Sequence, residues 1–173
     1  SRRQALWNVR GAIRKHRDLL PLDQLEISPA LKTMTPMETI LWDYRTSSHS
    51  TRGHPLGPLR QELAKQGLPH ATAVAAMPHG KRLRYAGLVI CRQRPGTASG
   101  VVFVTLEDET GIVNVIVWPK IFERYALLVK TVSFLGVTGR LQIEQDVTHL
   151  IADELWHPEV SRRPPEPVSR DFH

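Results

Sequence analysis

A single cysteine, Cys91, stands in 173 residues, so no internal disulfide can form and no cysteine-based zinc site can be assembled. Its place in an apolar strand pattern predicts a packed thiol, not a nucleophile. No apolar run approaches the roughly 20 residues that a membrane helix needs, and no charged-then-apolar leader opens the sequence. A cytoplasmic protein without membrane contact is the expectation. There is no Gly-rich phosphate loop of the Walker type and no nucleophile motif. His49 and His54 share a polar loop without a third ligand at metal spacing, and no Asp-x-Asp pair stands on a predicted strand. Aromatic residues make up only 6% of the chain, so each one on an outward position carries information.

What is present is a hairpin pattern between Val101 and Trp118. Val102, Val104 and Leu106 alternate with Phe103, Thr105 and Glu107. Beyond Gly111, Val113, Val115 and Val117 alternate with Ile112, Asn114, Ile116 and Trp118. One face is wholly aliphatic. The other offers a ring, a hydroxyl, an amide and an indole, the groups that stack on and hydrogen-bond to unpaired bases. Glu107-Asp-Glu109 occupies the turn, where acidic residues form turns by bonding to their own backbone.

The formal charge of +6 is unevenly spread. Residues 1–82 hold thirteen Lys/Arg against six Asp/Glu, whereas residues 83–157 hold seven against eight. Bulk charge therefore cannot bind a polyanion to the hairpin region. Local clustering can: no acidic residue lies between Glu62 and Glu107, and Lys65, Lys81, Arg82, Arg84, Arg92 and Arg94 all fall in that interval. Two readings stay open, a charged strand edge that resists aggregation and a set of phosphate contacts.

Helical periods dominate the first 80 residues. Leu6, Val9 and Ile13 sit among Arg2, Arg3, Arg10, Arg14 and Lys15, a basic amphipathic helix over residues 1–16. Residues 19–34 read as an extended connector. Thr35-Pro-Met-Glu38 is a capping box with proline at the first helical position, ahead of a face of Met37, Ile40, Leu41 and Tyr44. Residues 46–53 read as a loop. Leu56, Leu59 and Leu63 predict a short helix ending at Gly67, and residues 72–77 one further turn.

From Lys81 the period becomes two. Tyr85, Gly87, Val89 and Cys91 alternate with Arg84, Leu88, Ile90, Arg92 and Arg94 up to Pro95-Gly96. Pro119 opens a helix with Ile121, Phe122, Tyr125, Leu128 and Val129 on one side, fit to plug a sheet. A fourth strand turns Leu135, Val137, Leu141 and Ile143 inward and Phe134, Thr138, Arg140 and Gln142 outward; a fifth runs from about Val147 to Leu155. Three strands, a helix and two strands is the order of the five-stranded OB barrel. The expected fold is α+β: a helical segment and linker over residues 1–80, an OB barrel over 81–157, and a disordered Pro-rich tail over 158–173.

Several separated motifs resemble one family. Gly87-Leu-Val-Ile-Cys-Arg-Gln-Arg-Pro-Gly96, Thr105-Leu-Glu-Asp-Glu-Thr-Gly-Ile112 and Val117-Trp-Pro-Lys-Ile-Phe-Glu-Arg-Tyr125 resemble the C-terminal OB domain of bacterial C-family replicative polymerases, closest to the error-prone branch of DNA polymerase III alpha subunits. Ser1-Arg-Arg-Gln-Ala-Leu-Trp7, Met34-Thr-Pro-Met-Glu38, Asp43-Tyr-Arg45 and His54-Pro-Leu56 resemble the stretch that joins the helix-hairpin-helix region to that domain. The resemblance implies a fragment of a polymerase used in damage-induced translesion synthesis and DNA repair. It also implies no catalysis by this chain alone, because the carboxylates and Mg2+ of nucleotidyl transfer belong to a palm domain that it does not contain. No cofactor is then expected in this fragment.

The expected role is single-stranded DNA or primer-template binding on the outward face of strands two and three. Phe103 is the leading stacking platform, unless upstream helices or a loop cover it; Thr105 and Asn114 lie beside it. By resemblance, Phe103 falls where class II synthetase anticodon-binding domains carry a base-stacking phenylalanine, and Asn114 where they carry a base-reading glutamine. Arg92, Arg94 and Arg140 are candidate phosphate contacts from neighbouring strands, and Lys81, Arg82 and Arg84 from the edge. Trp118, followed at once by Pro119, is expected to anchor the helix instead. The alternative is an interaction module, with the helical segment docking on other polymerase domains or on mutasome accessory proteins.

Overall fold

The computed structural model describes residues 5, 9, 33–47, 50, 53–145, 147–164 and 170–172. The predicted helix over residues 1–16 lies outside the described residues except for Ala5 and Val9, which are helical and exposed. The predicted connector over 19–34 also lies outside them apart from its last two residues. Two compact units emerge, Ser1–Thr39 and Ile40–His173. Helix α1 (Pro36–Ser47) spans that boundary. Its N-terminus carries the expected capping box: Thr35 N donates to Glu38 Oε2 at 2.8 Å, and Glu38 N to Thr35 Oγ1 at 3.2 Å.

The second unit joins residues 40–80 to the barrel instead of leaving them in a separate segment. A 3-10 turn (Gly57–Leu59) leads into α2 (Arg60–Lys65), and α3 (Ala71–Ala75) follows, its N-terminus capped by His70 Nδ1, which accepts from Ala73 N at 3.1 Å. The predicted stop is present, since Gly67 adopts φ +73°, the left-handed conformation that glycine accepts without strain. Leu56, Leu59, Leu63 and Leu68 are buried with Ala86, Leu88 and Phe134 in one apolar cluster. Each fully buried leucine of this kind contributes about 1.5–3 kcal/mol. Leu88 and Phe134, expected to point outward from the barrel, do leave its interior, but these helices cover them.

Strands β1 (Arg82–Gln93), β2 (Val102–Asp108), β3 (Gly111–Val117), β4 (Phe134–Glu144) and β5 (Val147–Trp156) form the barrel, with α4 (Pro119–Thr131) between β3 and β4. Neighbours run β2-β3-β5-β4-β1, and β1 also pairs with β2, which closes the ring. The long first strand serves both sides: Arg82 to Leu88 pair with β4, and Leu88 to Gln93 with β2. A register shift between Val89 and Cys91 separates the halves. This shift pairs Cys91 with Thr105 on the outward side, so the thiol is half-exposed and not packed as the alternation predicted.

The interior is the aliphatic set of the hairpin. Val102, Val104, Leu106, Val113, Val115 and Val117 are all buried, with Leu135, Val137, Leu141, Leu150 and Leu155 from the later strands. Phe122 and Val129 of α4 join this core, as do Ala71 and Val74 of α3. One helix from the preceding segment and one from between β3 and β4 therefore contribute to the barrel core. Close strand approach is bought by glycine at Gly139, where a Cβ would lie 2.0 Å from Ile151 O at the β4–β5 register shift, and at Gly136, where it would meet the Trp156 ring at 2.5 Å.

Past Trp156 the backbone is not wholly without partners. Ser161 N and Oγ donate to the Glu62 carboxylate at 2.8 Å, Pro164 is buried, and β6 (Arg170–Phe172) pairs in parallel with Cys91 to Gln93 of β1. An open edge on β1 beyond its pairing with β4 gives that strand its donors and acceptors, a partner that composition does not reveal.

Candidate nucleic-acid interface

Register places the outward side chains in two rows across the sheet. Gln93, Phe103, Ile116, Ile151, Arg140 and Arg82 are successive Cα partners through β1, β2, β3, β5, β4 and back to β1. A second row joins Cys91, Thr105, Asn114, His149 and Gln142. Strands lie about 4.8 Å apart, so three strand intervals from Phe103 to Arg140 span about 14 Å measured along the sheet. A ring at one end of a row and a cation at the other suits a short single strand, one end stacked and the other held by phosphate.

Phe103 is half-buried, and it is not among the described side chains packed in or against the leucine cluster of residues 56–68. Toward the other end of the β2 stripe, Glu107 lies 3.9 Å from His54 Nε2, and His54 meets the Tyr44 ring edge-on at 5.6 Å. Burial, with the nearby Glu107 charge, pushes the Tyr44 hydroxyl up to about 12. Thr105 Oγ1 donates to Asn114 Oδ1 at 3.3 Å, which holds the amide against the sheet. His149 Nδ1, in the same row, is buried without a hydrogen-bond partner among the described residues.

The nominated cations separate by what they touch. Arg140 and Lys81 are exposed, and no carboxylate pairs with either among the described residues. Arg82 stands 3.5 Å from Asp153, an exposed pair worth at most about 1 kcal/mol. Arg84 stacks on the Trp156 ring at 4.4 Å, and Arg94 on the Phe122 ring at 4.8 Å. Arg92 is directed elsewhere: Nε donates to Val129 O and Nη2 to Val132 O, at the end of α4. It ties β1 to the helix C-terminus, where free carbonyls favour a cation.

The acidic turn is a fold element with a longer reach than a local turn. Asp108 Oδ1 accepts from Thr110 N at 2.8 Å and Thr110 Oγ1 at 2.7 Å, and Asp108 Oδ2 accepts from Ala71 N at 2.7 Å. Arg60 bonds Glu109 through Nε and Nη2 and reaches Asp108 at 3.3 Å. Burial alone would lower the Arg60 pKa, but the Glu109 hydrogen bond and the two carboxylate charges raise it overall. Tyr85 lies in the barrel interior near Asp108; burial first, then that charge, pushes its hydroxyl far above the ordinary phenol value. Among the described residues the acidic trio is thus engaged by Arg60, His54 and backbone amides.

A family model described as an OB-fold nucleic acid binding domain matches residues 84–157, the span of the five barrel strands. An error-prone DNA polymerase of Caulobacter vibrioides is 44% identical over 159 residues, 88% of this chain and 15% of that protein. Another, from Dechloromonas aromatica, is 41% identical over 174 residues, 99% of this chain and 17% of that protein. The chain is homologous to the error-prone DNA polymerase family. It spans roughly one sixth of the length of these relatives. Among solved structures, asparaginyl-tRNA synthetase from Pyrococcus horikoshii is 22% identical, with 59% of this chain and 24% of that one covered, at a TM-score of 0.45.

The outward face of this barrel includes residues that strand alternation alone did not nominate. His149 and Ile151 complete the two rows beside Asn114 and Ile116, because the parallel β3–β5 pairing brings β5 beside β3. Ile112 is 58% exposed at the turn end of the β3 stripe and Trp118 is 51% exposed at its other end. Alternation had put Trp118 on this face; the following proline argued for an anchor, and the exposed indole does not bear that out.

Proposed function

We propose that this chain is the single-strand-binding region of an error-prone DNA polymerase, handling unpaired template during translesion synthesis and repair in the bacterial cytoplasm. Unpaired bases stack on Phe103, with Thr105 and Asn114 at the base edge. Arg140, Lys81, Arg82, Arg84 and Arg94 supply phosphate contacts, while Arg92 shapes the face by holding α4. The observation that carries this reading is the half-exposed ring of Phe103 in one register row with the uncovered cation of Arg140. The helical residues 56–68 spend their leucines on the barrel, which favours the barrel over those helices as the working surface. Other polymerase domains and mutasome accessory proteins are further partners in this reading.

A fluorescein-labelled oligothymidylate titration tests it. Affinity should fall steeply with salt and drop by about 5- to 150-fold on Phe103→Ala, the loss of one stacked base. Undetectable binding at low ionic strength, or binding indifferent to salt, would reject it.

A further inference from the structure

Trp118 has two separable parts. Its main chain starts α4, the carbonyl accepting from Ile121 N and Phe122 N at 2.9 Å. Its backbone is extended, φ −67° and ψ 153°, so strand alternation continues through it: Val117 is buried inward and the indole of Trp118 is turned outward, 51% exposed. The helix start needs the carbonyl and takes no hydrogen bond from the side chain. A large ring left in water at a position whose fold task is done by its backbone is free to meet a ligand.

Its neighbours define that ligand. Ile116 pairs with Phe103, so Trp118 is the diagonal neighbour of Phe103 on the same face, at a separation of about 7–8 Å. The two rings do not stack on each other; Tyr44 with His54 is the one paired set of rings among the described residues. A stacked strand rises only about 3.4 Å per nucleotide, so rings at this separation receive neighbouring bases of a strand whose bases are unstacked and splayed onto them. Arg94 supplies charge at the same end. The ideal Cβ position of Gly100 lies 3.6 Å from Pro119 Cγ and 3.7 Å from Arg94 Nη2, which puts the guanidinium close to the Trp118–Pro119 junction. No carboxylate pairs with Arg94 among the described residues, and its guanidinium rests on the Phe122 ring.

We infer that Trp118 is a second stacking platform, receiving the base next to the one on Phe103, with Arg94 contacting the intervening phosphate. This rests on the single-strand reading above and adds a residue and a direction to it: the strand continues past Phe103 toward the α4 end of the barrel, not toward the acidic turn. At the other end the Glu107 carboxylate, 33% exposed beside His54, disfavours a phosphate.

Binding of a labelled oligothymidylate to the parent chain, Trp118→Leu, Trp118→Phe and Phe103→Ala decides the matter. Trp118→Leu keeps apolar bulk but removes the ring, and should weaken binding about 5- to 150-fold. Trp118→Phe should restore most of it, with both variants melting near the parent temperature. The parent's indole emission should quench on saturation, and the quench should be smaller in Trp118→Phe, a readout that does not depend on the leucine variant folding. Parent-like binding by folded Trp118→Leu, or an equal quench in parent and Trp118→Phe, overturns the inference. If Phe103→Ala still weakens binding in that case, the single-strand reading survives without it; if the parent itself does not bind, both fall.

Discussion

Asp108 accepts the backbone N–H of Ala71 at 2.7 Å, across 37 residues of sequence. The β2–β3 turn thereby caps α3 and, through Arg60, holds α2, so one carboxylate ties the helical segment to the hairpin. Since Ala71 and Asp108 are both only 3% exposed, water does not readily replace the carboxylate at the Ala71 N–H if it is removed.

Asp108→Ala is therefore expected to cost about 1–3 kcal/mol, chiefly from the unmet Ala71 donor, since Arg60 keeps its pair with Glu109 and the exposed Thr110 can turn to water. Urea unfolding measures it. Arg60→Ala should cost less, because Arg60 is partly solvent-exposed.

Two arginines of the candidate set should respond in opposite ways. Arg92→Ala leaves the Val129 and Val132 carbonyls without their donor and is expected to destabilise by about 1–3 kcal/mol. Arg140→Ala should leave the melting temperature unchanged. On single-stranded DNA it should reduce the slope of log affinity against log salt by about 0.7, the value for one phosphate contact.

Gly139→Ala places a methyl group 2.0 Å from a main-chain oxygen, which cannot move without opening the β4–β5 pairing. A loss of about 1–3 kcal/mol follows, as for overpacking generally. Gly96→Ala, with nothing within 4 Å, should change stability by no more than about 0.5 kcal/mol. Paired thermal melts separate the two.

Alkaline pH should unfold the protein through its tyrosines. Tyr44 is raised from 10.0 to about 12, and Tyr85 is raised further by burial and Asp108. The fold favours the neutral phenols, so this stabilisation is complete below pH 10, shrinks above it, and for Tyr44 is lost as pH passes about 12. Phenolate absorbance should show both groups ionising late in the native protein, and Tyr85→Phe should flatten the alkaline fall in stability.

The sequence by itself determined the barrel. Period-two alternation put Val102, Val104, Leu106, Val113, Val115 and Val117 inside, the capping box at Thr35 and Glu38 started its helix, and Gly67 stopped another, because each of these depends on residues a few positions apart. It also put Phe103, Thr105 and Asn114 on one outward face. Only the tertiary structure decided what surrounds them. Whether an outward residue is covered depends on chain far away in sequence: Leu88 and Phe134 lie under the leucines of residues 56–68, Phe103 does not, and Cys91 changes face because of a one-residue register shift. Parallel pairing of β3 with β5, and the antiparallel partner that follows it, bring His149, Ile151 and Arg140 into rows with Asn114 and Phe103. Arg92 and Arg94, two residues apart, look alike in sequence. One is spent on helix carbonyls and the other lies on a ring beside Trp118, because a side chain's task is set by the partners the fold supplies.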